Sequence, residues 1–430
     1  IFYCGKAPGC HYKTQDEIND MIVSLAKEGH TVGRIKGGDP YVFGRGGEEA
    51  LRLCEEGIEF EVIPGVTSAI SVLNYAGIPI THRGIAQGFH VFTGKSAEKL
   101  NISWGAVAKL EGTLVFLMGL SNIENITNSL ILNGMDKNTP CAVIMKGTTS
   151  KQKKMIGTLE NITLKIKEAA FKSPCIIVVG KVVTLSDDLG WYEKKPLFGW
   201  NICVTRSKEQ AGLLSERLLK LGAEVTEINS IKIQKTMTNL DKYKDKLHSY
   251  DYIIFTSVNS VNIFFDYLKE KEFDIRKLKA RLAAIGPATA RSINNRGIIP
   301  EIIAREFVAE DLFERIKSEV KAGDKIFIPC SRDSRDYLCK ELVSLGCKVD
   351  QVHIYYPSVG NIENVNSFND VDIVLFTSPS TVRNMIKLVR REEIQKKLCV
   401  AIGPITEKEL IKNSIKCFVC EEYSNEGLVR

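Results

Sequence analysis

Gly37-Gly38-Asp39-Pro40-Tyr41-Val42-Phe43-Gly44-Arg45-Gly46-Gly47-Glu48-Glu49 is the stretch on which the reading of this chain turns. Thr31-Val32-Gly33-Arg34-Ile35-Lys36 before it reads as a short strand entering a turn. Five glycines in thirteen residues do not make a packing surface. They let backbone approach a ligand closely, because no Cβ stands in the way. A strand that ends in such a loop is where α/β sheets commonly hold ligands. It is not a phosphate loop, since no Gly-Lys-Ser/Thr closes it and Asp39 would repel a phosphate. The plain alternative is a solvated glycine-rich turn.

Working outward, Gly5-Lys6, Gln15-Asp16-Glu17-Ile18-Asn19, Pro64-Gly65-Val66-Thr67-Ser68-Ala69 and Ala76-Gly77-Ile78-Pro79-Ile80-Thr81-His82-Arg83 flank the loop in order. Over about residues 1–190 that series resembles the uroporphyrinogen-III C-methyltransferases, within the tetrapyrrole methylases. Members of that family open with a strand and a Gly-x-Gly-Pro-Gly-Asp loop, which is not found here. Ile1 opens the sequence and Gly427-Leu428-Val429-Arg430 ends it in what reads as a helix start. A chain cut at both ends is therefore expected, with methylation weakened by the missing loop; the alternatives are an active synthase half alone or a non-catalytic tetrapyrrole binder.

At 430 residues, two to four domains are expected. With 44% apolar and 26% charged residues the composition is that of a soluble globular protein. No run reaches the about eighteen apolar residues of a membrane helix, and no secretory signal is present. The net charge of +6 is spread over mixed-sign runs such as 241–246 and 390–397, which argues against nucleic acid. Of twelve cysteines only Cys417 and Cys420 have ligand-like spacing, and they fall in an expected strand, so no metal is expected. Reduced thiols point to the cytoplasm.

Residues 191–199, with proline, glycine and charge, read as a linker. Beyond it the sequence repeats itself. Phe255-Thr256-Ser257-Val258-Asn259-Ser260-Val261 returns 121 positions later as Phe376-Thr377-Ser378-Pro379-Ser380-Thr381-Val382. Ala284-Ile285-Gly286-Pro287-Ala288-Thr289 returns as Ala401-Ile402-Gly403-Pro404-Ile405-Thr406, and Leu221-Gly222-Ala223-Glu224-Val225 as Leu345-Gly346-Cys347-Lys348-Val349. Strand–helix alternation predicts an α/β fold of doubly wound parallel sheets. Each Thr-Ser pair would stand at a strand's carboxyl end, opening a helix. There it either caps the helix or, with the free N–H groups, grips a carboxylate.

This half resembles uroporphyrinogen-III synthase through Val204-Thr205-Arg206, both Phe-Thr-Ser elements, both Ile-Gly-Pro turns and Tyr355 in Val352-His353-Ile354-Tyr355-Tyr356-Pro357. The resemblance implies two lobes, about 200–230 plus 358–430 and about 235–351, joined by a two-stranded connection from 228–234 and 352–357. The methylase would likewise have two lobes, about 1–83 and 88–190.

The resemblances also assign chemistry. The methylase would take S-adenosylmethionine against Gly37, Gly38, Asp39, Val42, Thr67, Ser68, Met118 and Gly147, and would transfer methyls to uroporphyrinogen III. Without the family, Met118 reads as a core methionine. Lys6 either assists proton removal or pairs with a propionate. Arg45 and Arg83 either bind substrate carboxylates or hold Glu48 or Glu49. The synthase would cyclise hydroxymethylbilane, with Tyr355 either donating a proton to the leaving hydroxyl or packing the connection, and with Thr256, Ser257, Thr377 and Ser378 binding carboxylates. Methylases of this family pair as homodimers, which is the partner expectation.

Overall fold

The computed structural model describes residues 1–430 except 5, 8–9, 12, 95–101, 206–207, 306–308 and 361–364; the side chains of 5–12, 206–211 and 361–366 are likewise outside the description. The chain divides into Ile1–Asn201 with Arg217–Glu224, and Ile202–Glu216 with Val225–Arg430. It is an α/β protein throughout.

In the first unit, β1 (Lys6–Ala7) and β2 (Cys10–His11) form a short antiparallel pair. Helix α1 (Gln15–Lys27) starts at a capping box in which the Thr14 side chain and Glu17 satisfy each other's backbone N–H. Helix α2 (Gly46–Glu55) follows the glycine loop, and α3 (Ser68–Tyr75) is capped by Thr67. The strand expected at 31–36 is not formed: Ile35 is 89% exposed and the backbone has no ladder partner among the described residues. A strand exists only where a neighbouring backbone completes its hydrogen bonds. Side chains hold the segment instead, as described below.

The rest of this unit is built on one sheet. β3 (Phe89–Thr93), α4 (Trp104–Val107), β4 (Thr113–Leu117), α5 (Ile123–Leu132), β5 (Pro140–Met145), β6 (Lys153–Thr158), α6 (Ile162–Glu168), β7 (Cys175–Val179) and α7 (Ser186–Leu189) follow in chain order. The sheet order is β3-β4-β7-β5-β6. Because β7 is antiparallel to both β4 and β5, the carboxyl ends of β3, β4 and β5 share one edge. Every residue of β4 and β7 is buried, and their side chains divide between two apolar clusters, one on each face. Helix α3 contributes Ala69, Val72 and Leu73 to one of these.

The stretch read as a linker is docked rather than free. Tyr192 is buried, its ring 4.7 Å from that of Tyr75 and 5.2 Å from that of Phe198. Trp191 Nε1 donates to the Asn74 carbonyl at 3.1 Å. Proline and charge masked three aromatics, of which Tyr192 is buried, Phe198 half-buried and Trp191 exposed but hydrogen-bonded.

In the second unit two five-stranded parallel arrangements recur. The first takes β8 (Asn201–Val204), followed by α8 (Lys208–Lys220) and β9 (Glu224–Glu227), then leaves through β10 (Ile231–Lys235). The second is inserted here: β11 (Tyr252–Phe255), α9 (Val258–Glu270), β12 (Arg281–Ala284), α10 (Pro287–Asn294), β13 (Ile302–Ile303), α11 (Ala309–Ile316), β14 (Lys325–Ser331), α12 (Tyr337–Ser344) and β15 (Lys348–Val359). The chain then completes the first with β16 (Ile373–Phe376), α13 (Pro379–Val389), α14 (Arg391–Gln395), β17 (Leu398–Ala401), α15 (Pro404–Lys412) and β18 (Phe418–Val419). The sheet orders are β9-β8-β16-β17-β18 and β15-β14-β11-β12-β13, with β10 beyond β15.

Position for position the two sheets are the same, the second circularly permuted. In each, the winding reverses between two central strands, β8 and β16 in one and β14 and β11 in the other. Such a reversal opens a crevice at the strands' carboxyl ends. Along β11, Tyr252 and Ile254 join one apolar cluster while Ile253 and Phe255 join another, so both faces are covered. β15 runs parallel to β14 as far as Tyr355, then antiparallel to β10 from Tyr355 to Val359. This strand carries the chain from one sheet to the other.

Candidate functional sites

The glycine loop is knotted by its own backbone. Asp39 accepts from the Tyr41 N–H at 2.8 Å and from the Gly65 N–H at 3.1 Å, which joins the 37–45 loop to the 64–68 turn. A Cβ at Gly65 would stand 2.2 Å from the Gly38 carbonyl oxygen, and one at Gly44 or Gly46 would stand 2.6 Å from that of Pro40. These glycines serve packing. Gly38, at φ 73°, serves the turn. Gly37 is different: its chain neighbours aside, no atom of the described residues lies within 4 Å of where its Cβ would be. Its bare backbone faces open space, as a closely approaching ligand would require.

Beneath the loop, Glu49 is buried and receives Lys36 Nζ at 2.9 Å, Arg34 Nε at 3.3 Å and Gln15 Nε2 at 3.0 Å. Burial pushes this carboxyl up, but the bonds from Lys36 and Gln15 and the charges of Lys36 and Arg34 prevail, so it titrates below its usual range. No sequence signal marked this network, because its members are 34 positions apart at the extremes.

The other residues implied in the donor site fall into two groups. Thr67 caps α3, and a Cβ at Gly147 would collide with Val72 at 2.3 Å, so both support the cradle. Val42, Ser68 and Met118 are exposed. Met118 is 48% exposed with φ 55°, which corrects its reading as a core methionine: it sits just past the end of β4, where the chain turns away from the sheet's interior. Of the nine non-glycine residues at positive φ among those described, five (Phe43, Arg45, Met118, Lys146 and Thr148) lie in the three loops carrying Val42, Met118 and Gly147. Such conformations cost about 1 kcal/mol or more each and gather at ligand sites.

Arg45 makes a two-pronged pair with Glu48, at 2.8 and 2.6 Å, the within-fold option. Arg83 has no carboxylate partner among the described residues. Lys6 pairs its backbone with His11; its side chain lies outside the described residues.

In the second unit both Thr-Ser pairs stand at the carboxyl ends of their central strands, at the reversal crevices. Ser257 caps α9 and Ser378 caps α13, each accepting the third residue's N–H while that residue's hydroxyl accepts from the cap. The cap dihedrals agree within 2° (φ −165° and −167°, ψ 160° in both). The partners Ser260 and Thr381 went unremarked in the sequence, although the Ser-x-x-Ser and Ser-x-x-Thr spacing was there to read. Thr256 and Thr377 are half-buried, and their hydroxyls are unengaged among the described residues. Thr205, at the end of β8, is buried; its hydroxyl donates to Leu375 O at 2.7 Å and braces β8 against β16.

Tyr355 is brought to one crevice only. A bulge after Cys330 sets it opposite Ser331, the Arg332 N–H donates to its carbonyl at 2.8 Å, and its hydroxyl lies 2.8 Å from Ser257 Oγ. Tyr355 is 7% exposed. Burial pushes its phenol above the ordinary value, with the Ser257 bond pulling partly back. Gly286 enters α10 at φ 92°, whereas its repeat Gly403 enters α15 fully extended at φ −176°.

A cavity of about 490 Å³ lies elsewhere, at the amino ends of β11, β12 and β14, lined among others by His248, Asp251, Arg281 and Glu319. Arg281 is held there by Glu301 and Glu319, each at 2.6 Å. This cavity lies at the opposite ends of these strands from the Ser257 cap. Among the described residues no helix is long and apolar enough to cross a membrane, and no group of three or more His, Cys, Asp or Glu is placed to hold a metal.

Comparison with known proteins gives two family matches. Residues 213–430 match the family described as uroporphyrinogen-III synthase HemD, and residues 2–163 match the tetrapyrrole (corrin/porphyrin) methylases. The porphyrin biosynthesis protein HemD of Ruminiclostridium josui is 37% identical over 436 residues, covering 99% of this chain and 86% of that protein. The uroporphyrinogen-III C-methyltransferase of Methanocaldococcus jannaschii is 49% identical over 189 residues, 44% of this chain and 78% of that protein. A crystal structure of uroporphyrin-III-C-methyltransferase from Thermus thermophilus is 40% identical, covers 41% of this chain and 76% of that one, and superposes with a TM-score of 0.37.

Proposed function

This chain belongs to the uroporphyrinogen-III synthase family and joins to it a uroporphyrinogen-III C-methyltransferase of the tetrapyrrole methylases, a two-part enzyme of tetrapyrrole biosynthesis, and we propose that it closes hydroxymethylbilane to uroporphyrinogen III and then methylates that product at C2 and C7. The dimethylated macrocycle, precorrin-2, leads to sirohaem and cobalamin. The observation that carries the synthase reading is the Tyr355 phenol, buried at a reversal crevice and held at 2.8 Å by a helix cap.

In that reading Tyr355 Oη gives its proton to the leaving hydroxyl. The C–O bond breaks toward oxygen, water departs, and the pyrrole nitrogen's lone pair supports the azafulvene cation left behind. Ring closure with the last pyrrole inverted forms two C–C bonds and breaks one. The cationic methylene carbon bonds to the substituted α-carbon of the last pyrrole, and the bond from that carbon to its bridge breaks. The freed bridge bonds to the ring's other α-carbon, whose proton leaves and restores the phenol. Thr256, Thr377 and the first N–H groups of α9 and α13 are suited to substrate carboxylates.

For the methylase half, S-adenosylmethionine when bound would supply an electrophilic methyl on its sulfonium. The residues present fit it: Gly37 leaves bare backbone, Val42, Ser68 and Met118 offer exposed surface, and Asp39, Gly38, Thr67 and Gly147 hold that surface in shape. Positioning of donor and acceptor carbons would dominate the rate. The Lys6 amine is the proposed acceptor of the proton that the macrocycle loses, Arg83 a proposed carboxylate contact, and a homodimer the proposed assembly.

Incubation with hydroxymethylbilane and methyl-labelled S-adenosylmethionine, with products separated by isomer and by methyl count, tests both halves. Type III macrocycle carrying two labels is expected. Type I alone, without label, overturns the proposal.

A further inference from the structure

We infer that Ser257, beyond capping α9, is a positioning residue that aims the proton of Tyr355; the inference rests on the synthase reading above. The argument is a count of hydrogens. Ser257 Oγ accepts the Ser260 N–H at 3.0 Å, so a lone pair of that oxygen is committed to the start of α9. Its own proton has two acceptors in reach, Tyr355 Oη at 2.8 Å and Ser260 Oγ at 3.2 Å. Ser260 Oγ already accepts the Ser257 N–H at 3.2 Å and donates to the Ser257 carbonyl at 2.7 Å. The shorter and less crowded path leads to Tyr355.

A phenol O–H lies near the plane of its ring and has two orientations there. When Ser257 donates into one side of the oxygen, the phenol's proton is turned to the other, away from the cap. The same donor then stabilises the phenolate that forms when that proton leaves, backed by the positive end of a 13-residue helix.

The repeat supplies the control within the molecule. Ser378 makes the same capping box with Thr381, yet its hydroxyl pairs with Ser380 at 2.8 Å. Capping a helix here requires no tyrosine. The contact between cap and phenol is an addition made in one sheet and not in the other.

The test is a double-mutant cycle in the full chain, reading kcat and KM for type III formation from hydroxymethylbilane. Ser257→Ala is expected to lower kcat about tenfold with KM changed less than about threefold, a tenth or less of the span general acid catalysis provides. In the Tyr355→Phe background the same change is expected to leave kcat where it was, because nothing remains to aim. Ser257→Thr, with cap and donor both kept, is expected to restore kcat. Ser257→Asp caps as well but cannot donate, so it is expected to fail as Ser257→Ala does while keeping the wild-type melting temperature. An equal loss of kcat in both backgrounds, or an active Ser257→Asp, would overturn the positioning role and leave the synthase reading standing. If Tyr355→Phe matches the unsubstituted chain, or that chain forms only type I product, the synthase reading itself fails and this inference with it.

Discussion

The two sheets of the second unit are one design used twice, and the difference that bears on the proposed chemistry is a tyrosine. Both have the same strand order, the same Thr-Ser cap and the same Gly-Pro helix entry. In one, the strand next to the reversal crevice delivers Tyr355 to the cap. In the other, the strand in the equivalent place is β9, and the residues after it, Ile228-Asn229-Ser230, spend their hydroxyl internally: Ser230 donates to Thr205 O at 2.6 Å. The difference teaches that a duplicated scaffold need not duplicate a reaction. One crevice carries the phenol proposed as proton donor, and the other has the cap without it.

The comparison can be broken most sharply at the phenol. Tyr355→Phe is expected to lower synthase kcat by about a hundredfold or more, the contribution general acids commonly make, and isomer-resolved product analysis reads it. The helix entries should separate next. Gly286→Ala is expected to lower stability by about 1–3 kcal/mol, since φ 92° with ψ 166° is accessible essentially to glycine alone. Gly403→Ala, fully extended, meets the flexible Tyr423 side chain first, at 3.3 Å, and is expected to cost less than about 1 kcal/mol. Thermal unfolding of the two variants, compared side by side, measures the difference. The smallest effect is expected at the second cap: Ser378→Ala should lose about 1 kcal/mol of stability, raise KM by a few-fold and leave kcat within about twofold. A kcat loss there equal to that of Tyr355→Phe would erase the asymmetry.

Much of this was legible in the sequence, for reasons that differ by region. The repeats announced the two sheets, because Phe-Thr-Ser and Ile-Gly-Pro fix a strand end, a cap and a helix start within a few residues. Tyr355 was visible as a candidate, but its partner was not, because the bond to Ser257 spans 98 positions and depends on a register shift between β14 and β15. In the first unit the glycine loop was legible as a ligand loop, while the strand before it failed to form because ladders need partners that no local pattern supplies. Periodicity could not separate Gly37, whose bareness faces space, from Gly44, Gly46 and Gly65, whose bareness admits a neighbouring carbonyl. The 191–199 stretch misled for the opposite reason: its charge and proline were conspicuous, and the three aromatics that dock it were not counted.

The pH dependence of synthase kcat, read with and without the phenol, tests the central claim most directly, because a phenol predicts a different profile from a histidine or a carboxylic acid. Around Tyr355 stand Cys330 and Asp333, both of which oppose its ionisation, and Lys235, its register partner on β10, which is drawn off to Asp266 at 3.2 Å. With burial holding the phenol above its ordinary value of about 10, the donor stays protonated at neutral pH and is lost only as pH rises through that raised value. The account predicts a flat kcat from about pH 6 to 9, with a fall above about 10 that disappears in Tyr355→Phe. A fall between about pH 6 and 8 that persists in Tyr355→Phe would contradict it and assign the proton to another group.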